Sequence, residues 1–348
     1  MSANTKIEWA HDTFSPWWGC QKVSPACANC YAEGVAARFQ PGHWGPGSKR
    51  RMASESYWRK PEAWNRQAAA AGERRRVFCA SMADVFEDRP DLDGPRFRLF
   101  NLISLTPYLD WLLLTKRPDR MLVWANTLEH ADETGLLAPE GPLVNRGWPS
   151  NAWAGVTVEN QATADERIPL LLQVPAPVRF LSMEPLLGPV DLSIYLLHRC
   201  SVCTWRGSAD MTRGDEYRCP VCDGEVYVPW DFHGNTGNEP GVHWVIAGGE
   251  SGPRARPSHP DWFRSIRDQC QRAEVPFHFK QWGAWSNLGP ETAPDCCVSL
   301  AGQRVDAPWG RERFPSGSSS ADRWNRMYRV GKKAAGRVLD GRTWDEVP

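Results

Sequence analysis

Residues 77–116 open on Val77-Phe78-Cys79-Ala80-Ser81-Met82 and close on Trp111-Leu112-Leu113-Leu114-Thr115-Lys116, with a helical stretch at 95–104 between them. Short, nearly continuous apolar runs of this kind read as strands buried on both faces, as in a parallel sheet. The helical stretch supplies the crossover that parallel neighbours require. The alternation continues outward. Further apolar runs lie at 153–158, 178–183, 243–247 and 276–279, and amphipathic stretches at 31–39, 119–127, 163–172 and 261–272. An extended segment at 13–19 comes before them all. Six or seven strand–helix repeats predict an α/β fold, a full or partial parallel β/α barrel. A doubly wound open sheet is the other topology that the pattern permits.

Each run ends on a polar or charged residue. Asp84 follows the run at 77–82, Lys116 that at 111–115, Glu159 that at 153–158, and Glu184 that at 178–183. Glu250 follows Gly248-Gly249, and Lys280 follows Phe279. Strand C-termini in a barrel converge on the face that carries active sites. One such residue is an ordinary strand end; six together predict a polar pocket.

The loop after the first extended segment reads Gly19-Cys20-Gln-Lys-Val-Ser-Pro-Ala-Cys27-Ala-Asn-Cys30-Tyr31. Three thiolates with no fourth nearby suit an iron–sulfur cluster with one iron left open, whereas clusters held for electron transfer usually take four. Half a zinc site, or three unrelated thiols, satisfies the spacing equally well. A second motif lies at Cys200-Ser-Val-Cys203 and Cys219-Pro-Val-Cys222, two CxxC pairs fifteen residues apart. This spacing predicts a closed tetrahedral thiolate site, zinc first, with a rubredoxin-like iron or a second cluster as alternatives.

The chain has 348 residues, formal net charge zero and eleven cysteines. Zero charge gives no general reason for binding nucleic acid or an anionic membrane. The clusters Lys49-Arg50-Arg51, Arg74-Arg75-Arg76 and Lys332-Lys333 with Arg337 read as solvated faces before phosphate sites. The first residues lack the apolar core of a signal peptide, and no apolar run reaches the length of a membrane span. A cytoplasmic location follows as the expectation, and there cysteines serve metals or redox chemistry before disulfides. The domain reading is a β/α barrel at 1–190 and 241–286, a zinc-ribbon insertion at 191–240, an irregular loop at 287–321, and a C-terminal segment at 322–348. In that last segment Trp324, Met327, Tyr328 and Val330 stand at helical spacing.

Several stretches resemble an uncharacterised, phage-associated family named for a three-cysteine motif, a domain of unknown function. They are Ile7-Glu-Trp, Phe14-Ser-Pro-Trp-Trp-Gly-Cys20 through Tyr31-Ala, Leu113-Leu-Thr-Lys-Arg-Pro118, Phe180-Leu-Ser-Met-Glu-Pro-Leu-Leu187 and Val245-Ile-Ala-Gly-Gly-Glu-Ser-Gly252. Phe279-Lys-Gln-Trp-Gly283 and Gly331-Lys-Lys-Ala-Ala-Gly-Arg complete the set. That family is in turn similar to radical S-adenosylmethionine enzymes, in particular the spore photoproduct lyase-like group. The resemblance implies a [4Fe–4S] cluster on Cys20, Cys27 and Cys30. Its fourth iron would chelate S-adenosylmethionine, and an electron from the cluster would give a 5′-deoxyadenosyl radical. The cofactor side of the pocket would take Tyr31, Asp84, Lys116 and Glu159, and the catalytic side Glu184, Glu250 and Lys280. An electron donor is implied, and the phage association points to a nucleic-acid base or nucleotide as substrate. Two features differ from the common radical-enzyme pattern. The cysteines are spaced CxxxxxxCxxC instead of CxxxCxxC, and Gly248-Gly249-Glu250 closes the sixth apolar run instead of the second. Competing readings are a metal-stabilised nucleic-acid-binding module of phage origin, without catalysis, and a carboxylate-based metal hydrolase. The scattered histidines, with no HxH or HxxxH pair, speak against the hydrolase.

Overall fold

The computed structural model describes residues 5, 7–39, 41–130, 147–196, 198–200, 202–203, 206–207, 218–224, 226–227, 241–289, 294–306 and 323–348. Seven strands form its main sheet: β1 (Asp12–Phe14), β2 (Arg75–Cys79), β3 (Leu109–Thr115), β4 (Ala152–Thr157), β5 (Arg179–Met183), β6 (Trp244–Gly248) and β7 (Phe277–Gln281). Their order in the sheet is their order in the chain. The β1–β2, β2–β3, β3–β4 and β6–β7 pairs run parallel. A doubly wound sheet reverses its strand order at a switch point. This sheet does not, so its topology is that of a partial β/α barrel. The described helices of nine residues or more are α1 (Tyr31–Phe39), α2 (Lys60–Ala71), α3 (Asp93–Ser104), α4 (Pro118–Glu129), α5 (Gln161–Leu171) and α6 (Pro260–Arg272). No described helix is long and apolar enough to cross a membrane.

The chain divides into two compact units, Met1–Thr157 with Arg167–Phe180, and Val158–Glu166 with Leu181–Pro348. In the first, β3 is buried along nearly its whole length, which explains its unbroken apolar sequence. Phe14 on β1 is fully buried, stacked on Tyr57 at 5.0 Å and edge-on to Trp111 at 5.6 Å. Gly155 on β4 is there because a Cβ would stand 2.2 Å from the Phe180 ring. Helix α2 begins with Pro61 in its first turn and ends on Gly72 in the left-handed conformation, both ordinary stop and start signals. Trp17–Trp18, expected to continue β1, instead pairs antiparallel with Arg51–Met52.

In the second unit, α6 buries Trp262, Phe263, Ile266 and Cys270 along one stripe. Phe263 meets Phe279 at 5.1 Å and Trp282 at 5.3 Å. The free edge of β7 is covered by the C-terminal tail, with Phe279 N–H donating to the Trp344 carbonyl and His278 bridging to Asp345. Such cover removes an open strand edge. The structure corrects two expectations here. Trp324–Met327 is a strand, not a helix, and it pairs with Cys296–Ser299 inside the segment expected to be irregular. Arg304–Asp306 forms the third strand of that small sheet. The rest of the expected loop, 290–293 and 307–321, lies outside the described residues.

Candidate functional site

The cysteine loop leaves the C-terminal end of β1. Gly19 has φ +116°, and a Cβ there would lie 2.0 Å from the His43 carbonyl oxygen, so only glycine allows this approach. The chain is pinned on both sides of it: Gly19 N–H donates to the Met82 carbonyl, and Gly45 N–H to the Cys20 carbonyl. Cys20, Cys27 and Cys30 are all half-buried. A short 3₁₀ turn, Pro25–Asn29, sets Cys27, whose Sγ lies 3.7 Å from Ser24 Oγ. Cys30 immediately precedes α1, and backbone N–H groups of Glu33 and Ala32 favour its thiolate, although burial outweighs them and raises its pKa. Burial pushes the Cys20 thiol up to about 12; Asp84 adds to that push and Arg117 opposes it. Thiols of this kind ionise when a metal binds them. Three soft thiol donors on one loop are a donor set that fits an iron–sulfur cluster.

The loop itself is held by Arg50. Its guanidinium forms a two-pronged pair with Glu87 at 2.6 and 2.8 Å and donates from Nη1 to the carbonyls of His43, Gly45 and Ser48. The Arg50 and Glu87 side chains are 0% and 4% exposed, so the pair is shielded from water.

Asp84 sits in a complete shell of donors. Oδ1 accepts from Thr115 Oγ1 at 2.7 Å and Phe86 N at 3.0 Å; Oδ2 accepts from Lys116 N at 3.2 Å and Arg117 Nη1 at 2.8 Å. Arg117 reaches on to the cysteine loop, placing Nη1 3.8 Å from Cys20 Sγ and Nη2 2.9 Å from the Gln21 carbonyl. Burial works against its charge, but Asp84, Cys20 and Glu87 outweigh that and raise its pKa. Lys116 turns elsewhere, donating from Nζ to Thr157 Oγ1 at 3.1 Å. Tyr31 is exposed and donates to the Ser81 carbonyl at 2.9 Å.

In the second unit, Lys280 Nζ donates to Glu184 Oε2 at 3.1 Å, and both side chains keep some solvent contact, 19% and 13%. Gly248 makes room for this pair, since a Cβ would meet Glu184 Oε1 at 2.6 Å. A Cβ on Gly249 would meet the Trp282 carbonyl oxygen at 2.0 Å. Glu250 is occupied differently. It accepts from Arg256 through N, Nε and Nη2 at 2.6–2.8 Å, a clamp that closes the loop 251–256. Glu159 is fully buried, its backbone N–H donating to Thr163 Oγ1.

The CxxC segments build a small antiparallel sheet, with His198–Cys200 between Arg206–Gly207 and Val226–Tyr227. The thiols of Cys203, Cys219 and Cys222 lie within 4.8 Å of one another, and Cys203 Sγ is 3.7 Å from Cys219 Sγ. Thiolates around tetrahedral zinc, at a Zn–S distance of about 2.3 Å, stand roughly 3.8 Å apart. Val221 N–H donates to Cys219 Sγ at 3.4 Å, as a metal-binding knuckle requires. Three of the four expected ligands are thus gathered; the side chain of Cys200 lies outside the described residues.

Among the expected site residues, the structure joins Asp84 to Cys20 through Arg117, and Glu184 to Lys280. It ties Glu250 to Arg256 and turns Lys116 toward Thr157. Arg117, Glu87 and Arg256 carry no signal in the sequence, and Arg50, expected on a solvated basic face, is instead buried against Glu87. Arg117 stands inside Leu113-Leu-Thr-Lys-Arg-Pro118, one residue beyond Lys116, which the strand pattern marks as the strand end.

Comparison with solved structures brings up spore photoproduct lyase. A cysteine-to-serine variant of it aligns with TM-score 0.33 and 16% identity over 52% of this chain and 47% of the lyase. A variant with bound AdoMet and dinucleoside spore photoproduct gives TM-score 0.34 at 14% identity over the same shares. The alignments therefore span about half of the lyase's length. No curated protein matches the sequence. Residues 4–348 match the family described as "Protein of unknown function (DUF5131)", and the chain belongs to that family.

Proposed function

We propose that this protein is a radical S-adenosylmethionine enzyme whose [4Fe–4S] cluster is held by Cys20, Cys27 and Cys30. The observation that carries the proposal is the three-thiol loop at the C-terminal end of the first strand of a sequentially ordered parallel sheet. When bound, the cluster and S-adenosylmethionine supply a one-electron cleavage that yields a 5′-deoxyadenosyl radical. The chain's own part is positional. Gly19 lets the loop pack against His43, Arg50 and Glu87 fix the covering turn, and Arg117 fastens Cys20 and Gln21 to Asp84. Tyr31, Asp84 and Lys116 are the proposed cofactor contacts on this reading.

The Glu184–Lys280 pair is the proposed acid–base or anion-holding element toward the substrate, for which a nucleic-acid base or nucleotide is the proposed class. Glu250 serves beside it by shaping the loop through Arg256. The ribbon of Cys200, Cys203, Cys219 and Cys222 is proposed to hold structural zinc. An electron donor is a required partner. The direct test is formation of 5′-deoxyadenosine from S-adenosylmethionine by anaerobically reconstituted protein with a chemical reductant. Product from the wild type and none from Cys27→Ala supports the reading. No product from protein that carries zinc alone, together with salt-dependent nucleic-acid binding, would replace it with the non-catalytic binding module.

A further inference from the structure

Arg117 is the one cation in direct contact with a proposed cluster ligand among the described residues, and its surroundings leave it little freedom. Its side chain is 10% exposed. Nη1 is shared between Asp84 Oδ2 at 2.8 Å and Cys20 Sγ at 3.8 Å, while Nη2 holds the Gln21 carbonyl at 2.9 Å. Asp84 is itself immobilised by Thr115, Lys116 and Phe86. Thr115 also accepts from Arg117 N–H at 2.9 Å, so backbone and side chain are fixed by the same cluster of groups. The neighbouring cation, Lys116, is engaged with Thr157.

We infer that Arg117 is a positioning residue that holds a fixed positive charge against the Cys20 thiolate and raises the reduction potential of the cluster bound there. The inference rests on the proposed assignment of Cys20, Cys27 and Cys30 as cluster ligands. Reduction adds one negative charge to a cluster, so a nearby cation, and a hydrogen bond to a ligand sulfur, favour the reduced state. Burial limits solvent screening of that effect. A structural clamp on Asp84 would need the shape of the guanidinium; tuning needs its charge.

The test compares wild type, Arg117→Gln and Arg117→Lys after anaerobic loading, with iron per chain and an EPR-monitored potentiometric titration as readouts. Arg117→Gln is expected to load and to shift the reduction equilibrium about tenfold toward the oxidised state, a fall of about 59 mV for one electron. Arg117→Lys, which keeps the charge and loses the fork, is expected to stay within about threefold of wild type. Loading of the lysine variant alone, at the wild-type potential, also supports the inference. Equal potentials in the glutamine variant and wild type overturn it. So does an equal fall in both variants, or failure of both to load. A wild type that takes up no cluster defeats the inference together with the assignment it rests on. A loaded wild type whose potential ignores the substitution defeats the inference alone.

Discussion

Replacing Arg50 by methionine removes the ion pair and the three carbonyl contacts through which its guanidinium holds the turn over the cysteine loop. The guanidinium gives two charge-assisted bonds to Glu87, at 2.6 and 2.8 Å, and reaches the carbonyls of His43, Gly45 and Ser48 at 2.9–3.2 Å. Glu87, with a side chain 4% exposed, would be left charged and unpaired. Breaking a buried pair from one side costs about 3–5 kcal/mol. The freed carbonyls are half-buried and rehydrate, adding on the order of 1 kcal/mol. Arg50→Met should therefore destabilise the protein by about 4–6 kcal/mol. Arg50→Met with Glu87→Leu should recover about 2–3 kcal/mol of that, because the stranded charge is gone. Urea unfolding followed by tryptophan fluorescence measures both, with the transition assigned to the unit that contains this pair. Because Gly45 N–H donates to the Cys20 carbonyl, the single variant should also retain less iron. Strictly additive losses from Arg50→Met and Glu87→Leu would refute the reasoning, since the two charges would then be independent.

Three further outcomes are expected. Gly19→Ala forces a left-handed φ on alanine, costing roughly 1–2 kcal/mol, and drives Cβ into the His43 carbonyl at 2.0 Å; metal analysis should show iron lost and zinc retained. Gly248→Ala and Glu184→Gln should lower 5′-deoxyadenosine formation alike at unchanged iron content, since a Cβ at 248 displaces the Glu184 carboxylate from Lys280. Unequal effects would separate the glycine from the ion pair. His259 caps α6: its Nδ1 accepts from Asp261 N–H and its Nε2 lies 3.0 Å from the Arg323 carbonyl, an arrangement of the neutral ring. Burial holds its pKa below the ordinary value. The unfolded chain thus takes the proton first, so this stability is full above about pH 6.5 and declines as pH falls below it. The urea midpoint should drop between pH 7.5 and 5.5, and drop less in His259→Gln; identical slopes would count against this role.

The architecture was readable because strands buried on both faces leave continuous apolar runs, and each lay within a few residues of its place. Helix α2 was not singled out: its last four residues are Ala68-Ala-Ala-Ala71, which carry propensity without an apolar stripe. Trp324–Met327 shows the opposite failure. Spacing over four to seven residues fits a helix or a strand, and pairing with Cys296–Ser299 decides it. The cysteine motifs announced themselves by local spacing. Arg117 did not, because its meaning lies in contacts to Cys20, 97 residues away, and Asp84, 33 residues away. Glu250 looked like a free pocket carboxylate at a strand end. The nearby Arg256 neutralises it, through a loop closure that no strand pattern encodes.

The most direct measurement is iron, sulfide and zinc per chain in protein purified and reconstituted without oxygen, beside a variant with Cys20, Cys27 and Cys30 all replaced by alanine. Roughly four irons per chain, lost in the variant while about one zinc remains, is the expected result. Zinc alone in both proteins would contradict the radical mechanism.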